Sequence, residues 1–370
     1  MTITFDSLLS EITDPNGREI LDPATGDVVG KAPVEGVDVL DAAIARAKAA
    51  QPAWAALTDE DRTARLLQAA DAIDAATEPL AELLSREQGK PLNGPNARFE
   101  VGACADWLRA TAATELPGRT LLDGDDGNAE MYYRPLGVVG AIGPWNWPMM
   151  ITVWQVAPAL RMGNTTVVKP SEYTPLSVLA LATVINSALP EDVLTVVAGE
   201  GDLGARLSSH PDIDKLMFTG STRTGQAIIK SSADTVKRLT LELGGNDAGI
   251  VLPDVDPKPL RRICSGVPSS TLDKPVPHSS ACTCTPTSTT RSAPNSRQSR
   301  RRCRWAAVWM RTTCWARCRT RHSTTSSRIL SSAPANPVPP CWSAETRTPT
   351  PPGTSTPRLW CRTSTTTTLW

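Results

Sequence analysis

The sequence has little of several things that particular classes of protein need. Its 38 basic residues only balance its 38 acidic ones, which argues against a polyanionic partner such as nucleic acid. The amino end carries Asp6 and Glu11 where a secretory signal peptide has positive charge, and no apolar core follows. Prolines and Asn146 interrupt the most apolar stretch, 137–160, so it cannot be a membrane-spanning helix of about 20 apolar residues. We therefore expect a cytoplasmic protein without a membrane partner.

Acidic residues and lysines almost vanish from the last part of the chain. Up to Leu260 the composition is that of a globular domain, whereas 261–370 contains only Asp273, Glu345 and Lys274 among Asp, Glu and Lys. Serine, threonine, proline and arginine dominate this segment. So few aliphatic residues cannot offset the loss of chain entropy on folding, and we expect a disordered, low-complexity tail.

Cysteine is also unevenly distributed. Eight of the nine cysteines follow residue 260, and their spacings, such as Cys282 with Cys284 and Cys314 with Cys318, do not form a paired zinc framework. A disulfide scaffold is not expected in a cytoplasmic chain. We therefore predict no metal site.

The first 260 residues show the alternation of a doubly covered parallel sheet. Two short strands are predicted within 19–32, and an extended arm at 129–135. From residue 137 onward, short apolar strands alternate with helical segments, a pattern typical of an α/β fold with a Rossmann-like parallel sheet and flanking helices. Helices are predicted at 37–51, at 59–76 with Asp59 as N-cap, at 78–88 with Thr77 as N-cap, and near 149–161, 175–188, 201–208 and 224–232.

Two motifs at the ends of predicted strands fit a nucleotide. In FTGSTRTG, Gly220, Ser221 and Gly225 open a helix whose backbone amides can face a pyrophosphate, although the same pattern also occurs in ordinary strand-to-helix turns. In KPSE, Lys169 and Glu172 can both bind ribose hydroxyls, and the alternative is a solvated ion pair in a loop. The Glu172 carboxylate would also repel a 2′-phosphate on that ribose.

Two other strand ends carry groups suited to catalysis. Asn146 lies between bulky residues in PWNWP, where a rigid amide could donate to an oxyanion; a lone Asn is more often a turn residue. Glu242 ends an apolar strand in LELGG, where desolvation would raise its pKa toward that of a general base. The alternative for Glu242 is a carboxylate paired with a backbone group or a lysine.

Taken in order, the strings WNWP, KPSE, FTGS and ELGGN resemble the aldehyde dehydrogenase superfamily, over about residues 18–258. The resemblance implies that Asn146 is the oxyanion donor and Glu242 the general base. It also implies oxidation of a small-molecule aldehyde to a carboxylate through a cysteine thiolate, and a homodimer or homotetramer assembled through an arm at 117–135. The implied cofactor is NAD, with NADP possible, bound by Ile142, Pro144, Trp145, Lys169, Ser171, Glu172, Gly220, Ser221, Gly225, Leu243 and Gly244.

The nucleophilic cysteine that this resemblance requires, in a G-Q-x-C string after Glu242, is missing. A reading frame offset by one nucleotide accounts for its absence. The offset codon across Asp273 and Lys274 must encode Gln or a stop, the next must encode Ala or Thr, and the one across Pro275 and Val276 can encode Cys. From Ile263 onward the offset codons accommodate LFWGAFINTGQACAALKRLYVH, which resembles the nucleophile segment of the family.

Two later windows accommodate family-like strings in the same offset frame. Residues after Trp305 allow GxGLDEDNVLGPLQN, and 353–364 allow YFYxPTLVxDI. We therefore interpret 261–370 as an out-of-frame translation that replaces the catalytic domain, and expect the chain itself to be inactive. The alternatives are a catalytically dead nucleotide-binding remnant and a basic nucleic-acid-binding tail, with clusters such as Arg300–Arg302.

Overall fold

The computed structural model describes residues 3–124 and 127–245, together with the backbone of two short strands at Ala248–Val251 and Ala281–Cys284. In chain order the elements are α1 (Phe5–Ile12), β1 (Arg18–Leu21), β2 (Val28–Ala32), α2 (Val37–Ala55), α3 (Asp59–Ala75), α4 (Thr77–Gln88), α5 (Ala97–Ala112), β3 (Arg119–Gly124), β4 (Gly127–Met131), β5 (Val138–Ile142), α6 (Pro148–Arg161), β6 (Thr165–Lys169), α7 (Pro175–Asn186), β7 (Leu194–Val196), α8 (Gly201–Ser209), β8 (Lys215–Gly220), α9 (Thr222–Ser231), β9 (Arg238–Leu243), β10 (Ala248–Val251) and β11 (Ala281–Cys284).

A parallel sheet of five strands, in the order β7-β6-β5-β8-β9, confirms the predicted α/β fold. Every residue of β5 and β6 is buried, as expected for parallel strands that are covered on both faces. Alternate side chains face two separate cores. Ala141 and Val168 pack mainly with α3 to α7, while Ile142 and Val167 pack with α2, α8 and α9. The helices thus cover both faces of the sheet.

The helix caps differ from the prediction. Thr58, not Asp59, is the N-cap of α3, because the Thr58 side chain accepts a hydrogen bond from the Asp61 amide. Ala76, not Thr77, precedes α4, and its side chain cannot cap a helix. Both errors have one cause: a polar residue in the first turn gives the same sequence signal as a polar residue one position earlier.

Two helices, α1 and α5, are not among the predicted elements. In α5, Val101, Cys104, Ala105 and Leu108 are buried at helical spacing, so the periodic signal is present in the sequence. In α2, the helix continues through Pro52 instead of ending at residue 51. The unpredicted helix α5 has consequences for the site, because it carries a buried carboxylate.

Two small antiparallel pairs accompany the main sheet. Strands β1 and β2 form the predicted pair within 19–32, and β3 pairs with β4 to form an exposed arm. Strand β10 pairs in parallel with β11, which the sequence analysis does not predict. Apart from β11, the predicted tail at 261–370 lies outside the described residues. No helix in the described ranges has the length and apolar character needed to cross a membrane.

Candidate functional site

The predicted site residues gather at one edge of the sheet, where its parallel strands end. In the sheet register, Ile142 at the end of β5 lies opposite Lys169 of β6 and Phe218 of β8. Gly220 at the end of β8 lies opposite Leu243 of β9. The structure therefore brings the ends of four separate sequence motifs side by side, as parallel strands require.

The order of the strands reverses between β5 and β8, and ligands bind at such reversals in open α/β sheets. Gln155 of α6 bridges this position. Its Nε2 donates to the Ile142 carbonyl at 3.4 Å and to Thr219 Oγ1 at 3.3 Å, while its buried Oε1 has no hydrogen-bond partner in the described part of the chain. Gln155 is not among the residues predicted from the sequence, although an amide within the apolar segment MMITVWQVAPAL is a visible signal.

The amino end of α9 presents backbone amides at the same edge. Ser221 is its N-cap, and Ser221 Oγ accepts a hydrogen bond from the Thr224 amide at 3.2 Å. A Cβ on Gly220 would lie 2.5 Å from the Phe218 ring, and a Cβ on Gly225 would lie 2.6 Å from the Leu243 side chain. The two glycines thus let α9 pack closely against the strand ends, with its other first-turn amides available to an anion.

The end of β6 places the KPSE residues in a tight group. Lys169 Nζ donates to the Pro170 carbonyl at 2.9 Å and lies 4.0 Å from Glu172 Oε2. Burial lowers the pKa of Lys169, and the charge of Glu172 opposes this shift. Ser171 is buried, and its Oγ accepts a hydrogen bond from the Tyr173 amide at 3.3 Å. Lys169 and Glu172 are therefore close enough to bind neighbouring hydroxyls of one sugar.

Two side chains that the sequence analysis missed hold this loop. The Arg18 guanidinium donates to the backbone carbonyl of Glu172. The buried Glu87 carboxylate accepts hydrogen bonds from the amides of Leu176 at 2.7 Å and Ser177 at 2.9 Å, the first turn of α7. Burial raises the pKa of Glu87 to about 7, against the lowering effect of these hydrogen bonds.

The loop between β5 and α6 holds Asn146 by its backbone. The Asn146 carbonyl accepts hydrogen bonds from Gln88 Nε2 at 2.6 Å and Lys90 Nζ at 3.0 Å, and its Oδ1 accepts one from the Trp147 amide at 3.0 Å. No acceptor for Asn146 Nδ2 is found in residues 3–124 or 127–245, so the amide keeps a donor available. The loop residues that are half-buried include Pro144, Trp145 and Asn146.

A buried ion pair lies against this loop. Lys90 Nζ and Glu100 Oε2 are 2.5 Å apart, and the two side chains are only 7% and 0% exposed. The other oxygen of Glu100 accepts hydrogen bonds from the amides of Met149 at 2.9 Å and Met150 at 3.1 Å, in the first turn of α6. Burial raises the pKa of Glu100 against the charge of Lys90. Lys90 also lies 4.1 Å from the centre of the Trp147 ring.

The end of β9 lies at the surface. Glu242, Leu243 and Gly244 are all exposed in the described structure, and the role of Glu242 as general base stays a prediction. The reason for this exposure lies in the sheet order: β9 is the edge strand of the five, and its end has solvent on one side in the described structure. An apolar strand sequence predicts burial only when neighbours cover it on every side.

Cys104 is the only cysteine within residues 3–124 and 127–245. It is buried in α5, and burial raises the pKa of its thiol well above the ordinary value. A buried thiol held in its protonated form is a poor nucleophile. In the same ranges, no three His, Cys, Asp or Glu side chains group as a metal site would require.

Most of the chain matches one known protein family. Residues 12–267 match the model described as "Aldehyde dehydrogenase family". The chain belongs to the aldehyde dehydrogenase family. The match ends close to the residue where the composition changes, and the chain spans about half the length of the curated relatives it matches.

Relatives and solved structures agree with this assignment. The chain is 39% identical over 241 residues to aldehyde dehydrogenase LUC3 of a Fusarium species, covering 65% of this chain and 50% of the relative. It is 40% identical over 252 residues to betaine aldehyde dehydrogenase 2 of Rhizobium meliloti, covering 66% and 52%. An NADP-dependent enzyme of E. coli aligns with a TM-score of 0.73 at 33% identity, covering 76% of this chain and 59% of the other. The NAD+ complex of a Bacillus cereus aldehyde dehydrogenase aligns with a TM-score of 0.67 at 34% identity, covering 70% and 54%.

Proposed function

We propose that the described part of this chain is the cofactor-binding domain, about residues 1–260, of an enzyme that oxidises an aldehyde to a carboxylate with NAD(P)+. The observation that carries the proposal is the register that places the ends of β5, β6, β8 and β9 along one edge. Lys169 and Glu172 would hold the adenosine ribose, and Ser221 with the amides of α9 would hold the pyrophosphate. When bound, the nicotinamide supplies the acceptor for the hydride that leaves the substrate carbon.

The remaining site residues fit this cofactor and its reaction. Gly220 and Gly225 let the start of α9 pack against Phe218 and Leu243 at the strand ends, since a Cβ at either glycine would meet one of these side chains within 2.6 Å. Asn146 Nδ2 would donate to the oxygen of the carbonyl as negative charge develops on it. The Glu242 carboxylate would take a proton from the water that releases the product acid.

We further propose that the polypeptide with this sequence is inactive, because its nucleophilic cysteine is encoded in the offset frame across Pro275 and Val276. The end of the family match at residue 267 supports a break in this region. The buried, protonated thiol of Cys104 does not substitute for the missing nucleophile. This observation also favours the second candidate function, a nucleotide-binding remnant without turnover.

The arm is the part of the described structure suited to assembly. Both of its strands are almost entirely exposed, and Leu121 and Leu122 are 59% and 49% exposed. Apolar side chains on an isolated two-stranded arm favour contact with another chain. We propose that the arm at 117–135 serves oligomerisation in the intact enzyme, as a homodimer or homotetramer.

Two experiments test the proposed function. Resequencing the gene across codons 255–265 will find a single inserted or deleted nucleotide if the tail is out of frame. In parallel, the purified chain is expected to bind NAD without steady production of NADH from a panel of aldehydes. An intact reading frame, or steady turnover by this chain, would contradict the proposal of a lost nucleophile. Absence of NAD and NADP binding would contradict the cofactor site.

A further inference from the structure

We propose that residues 87–90, at the end of α4, independently position the two functional loops of the site. Glu87 would position the KPSE loop, 169–174, through the first turn of α7. Lys90 would position the Asn146 loop, 144–147, together with Glu100. The proposal rests on the proposed function for the roles of the two loops, and on the contacts of this chain for the positioning itself.

The cofactor side of this arrangement depends on the first-turn amides of α7. These amides have no partner within their own helix, so a buried helix start needs acceptors from elsewhere. Glu87 supplies both of its oxygens, one to Leu176 and one to Ser177, at 2.7 and 2.9 Å. Helix α7 begins only six residues after Lys169, with Thr174 between as N-cap. The position of this helix start therefore limits where the KPSE loop can lie.

The oxyanion side uses different atoms of the same segment. Lys90 donates to the Asn146 carbonyl at 3.0 Å and pairs with Glu100, whose other oxygen accepts from the Met149 and Met150 amides. Gln88 adds a second hydrogen bond to the Asn146 carbonyl. These contacts hold the loop from both ends, which fixes the backbone that carries the Asn146 amide.

Gly89 lets the chain turn sharply between Glu87 and Lys90. Its φ of +82° is in the left-handed region, and it ends α4 as the C-cap. The turn sends Glu87 toward α7 while Lys90 leaves the helix toward α5 and α6. The hydrogen bonds of Glu87 to α7 and those of Lys90 to Asn146 and Glu100 use different donors and acceptors, so loss of one set should leave the other intact.

Amide hydrogen exchange on the full chain reports on the two loops separately and needs no ligand. We expect Glu87→Gln to speed exchange at Leu176 and Ser177 by about tenfold, with no change at Met149 and Met150. Lys90→Met should give the reverse pattern. The matched control is Glu82→Gln, earlier in α4, where the carboxylate is half exposed and pairs with Arg86 at the surface. Glu82→Gln should leave the exchange rates of all four amides unchanged.

Binding of NAD provides the second readout. Glu87→Gln should raise the Kd for NAD by about tenfold, since displacement of a binding loop by about 1 Å has effects of this size or larger. Glu87→Asp, which keeps the carboxyl group on a shorter side chain, should lie between wild type and Gln. If both Glu87→Gln and Lys90→Met speed exchange equally in the two loops, or neither does, independent positioning is wrong. If the exchange patterns hold while wild type binds no NAD, the positioning stands and the proposed cofactor site fails.

Discussion

Lys90 and Glu100 form an ion pair that is almost completely withdrawn from solvent, with 2.5 Å between Nζ and Oε2. Removal of one partner leaves the other charge buried without compensation. We expect Glu100→Gln to lower the free energy of unfolding by about 3–5 kcal/mol. The double variant Lys90→Met, Glu100→Gln should lose less than the sum of the two single variants. Urea unfolding of wild type, the two single variants and the double variant measures the coupling energy. Simple additivity of the free-energy losses would show that the pair makes no net interaction.

The stability of the chain should depend on pH through Glu87. Its pKa in the folded chain is raised to about 7 from 4.5, so the folded state binds a proton more tightly than the unfolded one. The stability contributed by this proton is complete below pH 4.5 and is lost as the pH rises through 7. Relative to Glu87→Gln, wild type should therefore lose about 3 kcal/mol between about pH 4 and pH 8.

Denaturant unfolding at both pH values, with Glu82→Gln as control, measures this difference. The control removes a half-exposed carboxylate from the same helix, so it accounts for the loss of a surface charge. A constant difference between wild type and Glu87→Gln across the range would mean that Glu87 keeps one protonation state throughout.

Substitution by alanine should have opposite effects on stability at two of the glycines. At Gly89, φ is +82° and a Cβ would lie 2.5 Å from Pro23 Cγ, so Gly89→Ala should destabilise the chain by at least about 1 kcal/mol. At Gly102, inside α5, a Cβ would meet no atom within 4 Å. Gly102→Ala should therefore stabilise the helix by about 0.5–1 kcal/mol. Thermal unfolding compares the two, and equal signs would contradict the conformational argument.

Restoration of the frame by one nucleotide near codon 260 should give an active enzyme. In that enzyme, Asn146→Ala should lower kcat by about 10²–10³, the usual effect of losing one oxyanion donor. Glu242→Gln should preserve a first burst of NADH while hydrolysis slows, because the proposed role of Glu242 is to activate the water that releases the acid. Rapid-mixing measurement of NADH distinguishes these cases. Unchanged activity after replacement of the cysteine encoded across Pro275 and Val276 would overturn its assignment as nucleophile.

The choice between NAD and NADP should depend on Glu172. Its carboxylate lies 4.0 Å from Lys169 Nζ, at the group proposed to hold the ribose. A 2′-phosphate there would meet like charge, so the restored enzyme should prefer NAD. Glu172→Gln should raise kcat/KM with NADP relative to NAD. If the restored enzyme prefers NADP and the substitution leaves the ratio unchanged, Glu172 does not set the preference.

The sequence predicted those parts of the site that depend on local order along the chain. Short β-branched and apolar segments such as VVGAI and TTVV predicted parallel strands, and the motifs that follow these segments lie at the strand ends, as expected. The groups that hold those ends were not predicted. Glu87, Lys90 and Glu100 are common surface residues by type, and nothing local distinguishes them from solvated charges.

The exposure of Glu242 also could not be predicted from the local sequence. Its sequence context, LELGG, is that of a covered strand, yet the strand lies at the edge of the sheet and the carboxylate is exposed. Strand order is a property of the whole sheet, and it depends on how helices cross over between strands.

The sequence by itself determined the α/β class, the order of the motifs and the change of composition near residue 260, because side-chain periodicity and turn chemistry act over short distances. Only the tertiary structure decided which charges are buried and what they hold. A carboxylate such as Glu100 becomes a helix cap and an ion-pair partner only after α4, α5 and α6 have packed together, when it can no longer be solvated by water and must bond to the groups around it.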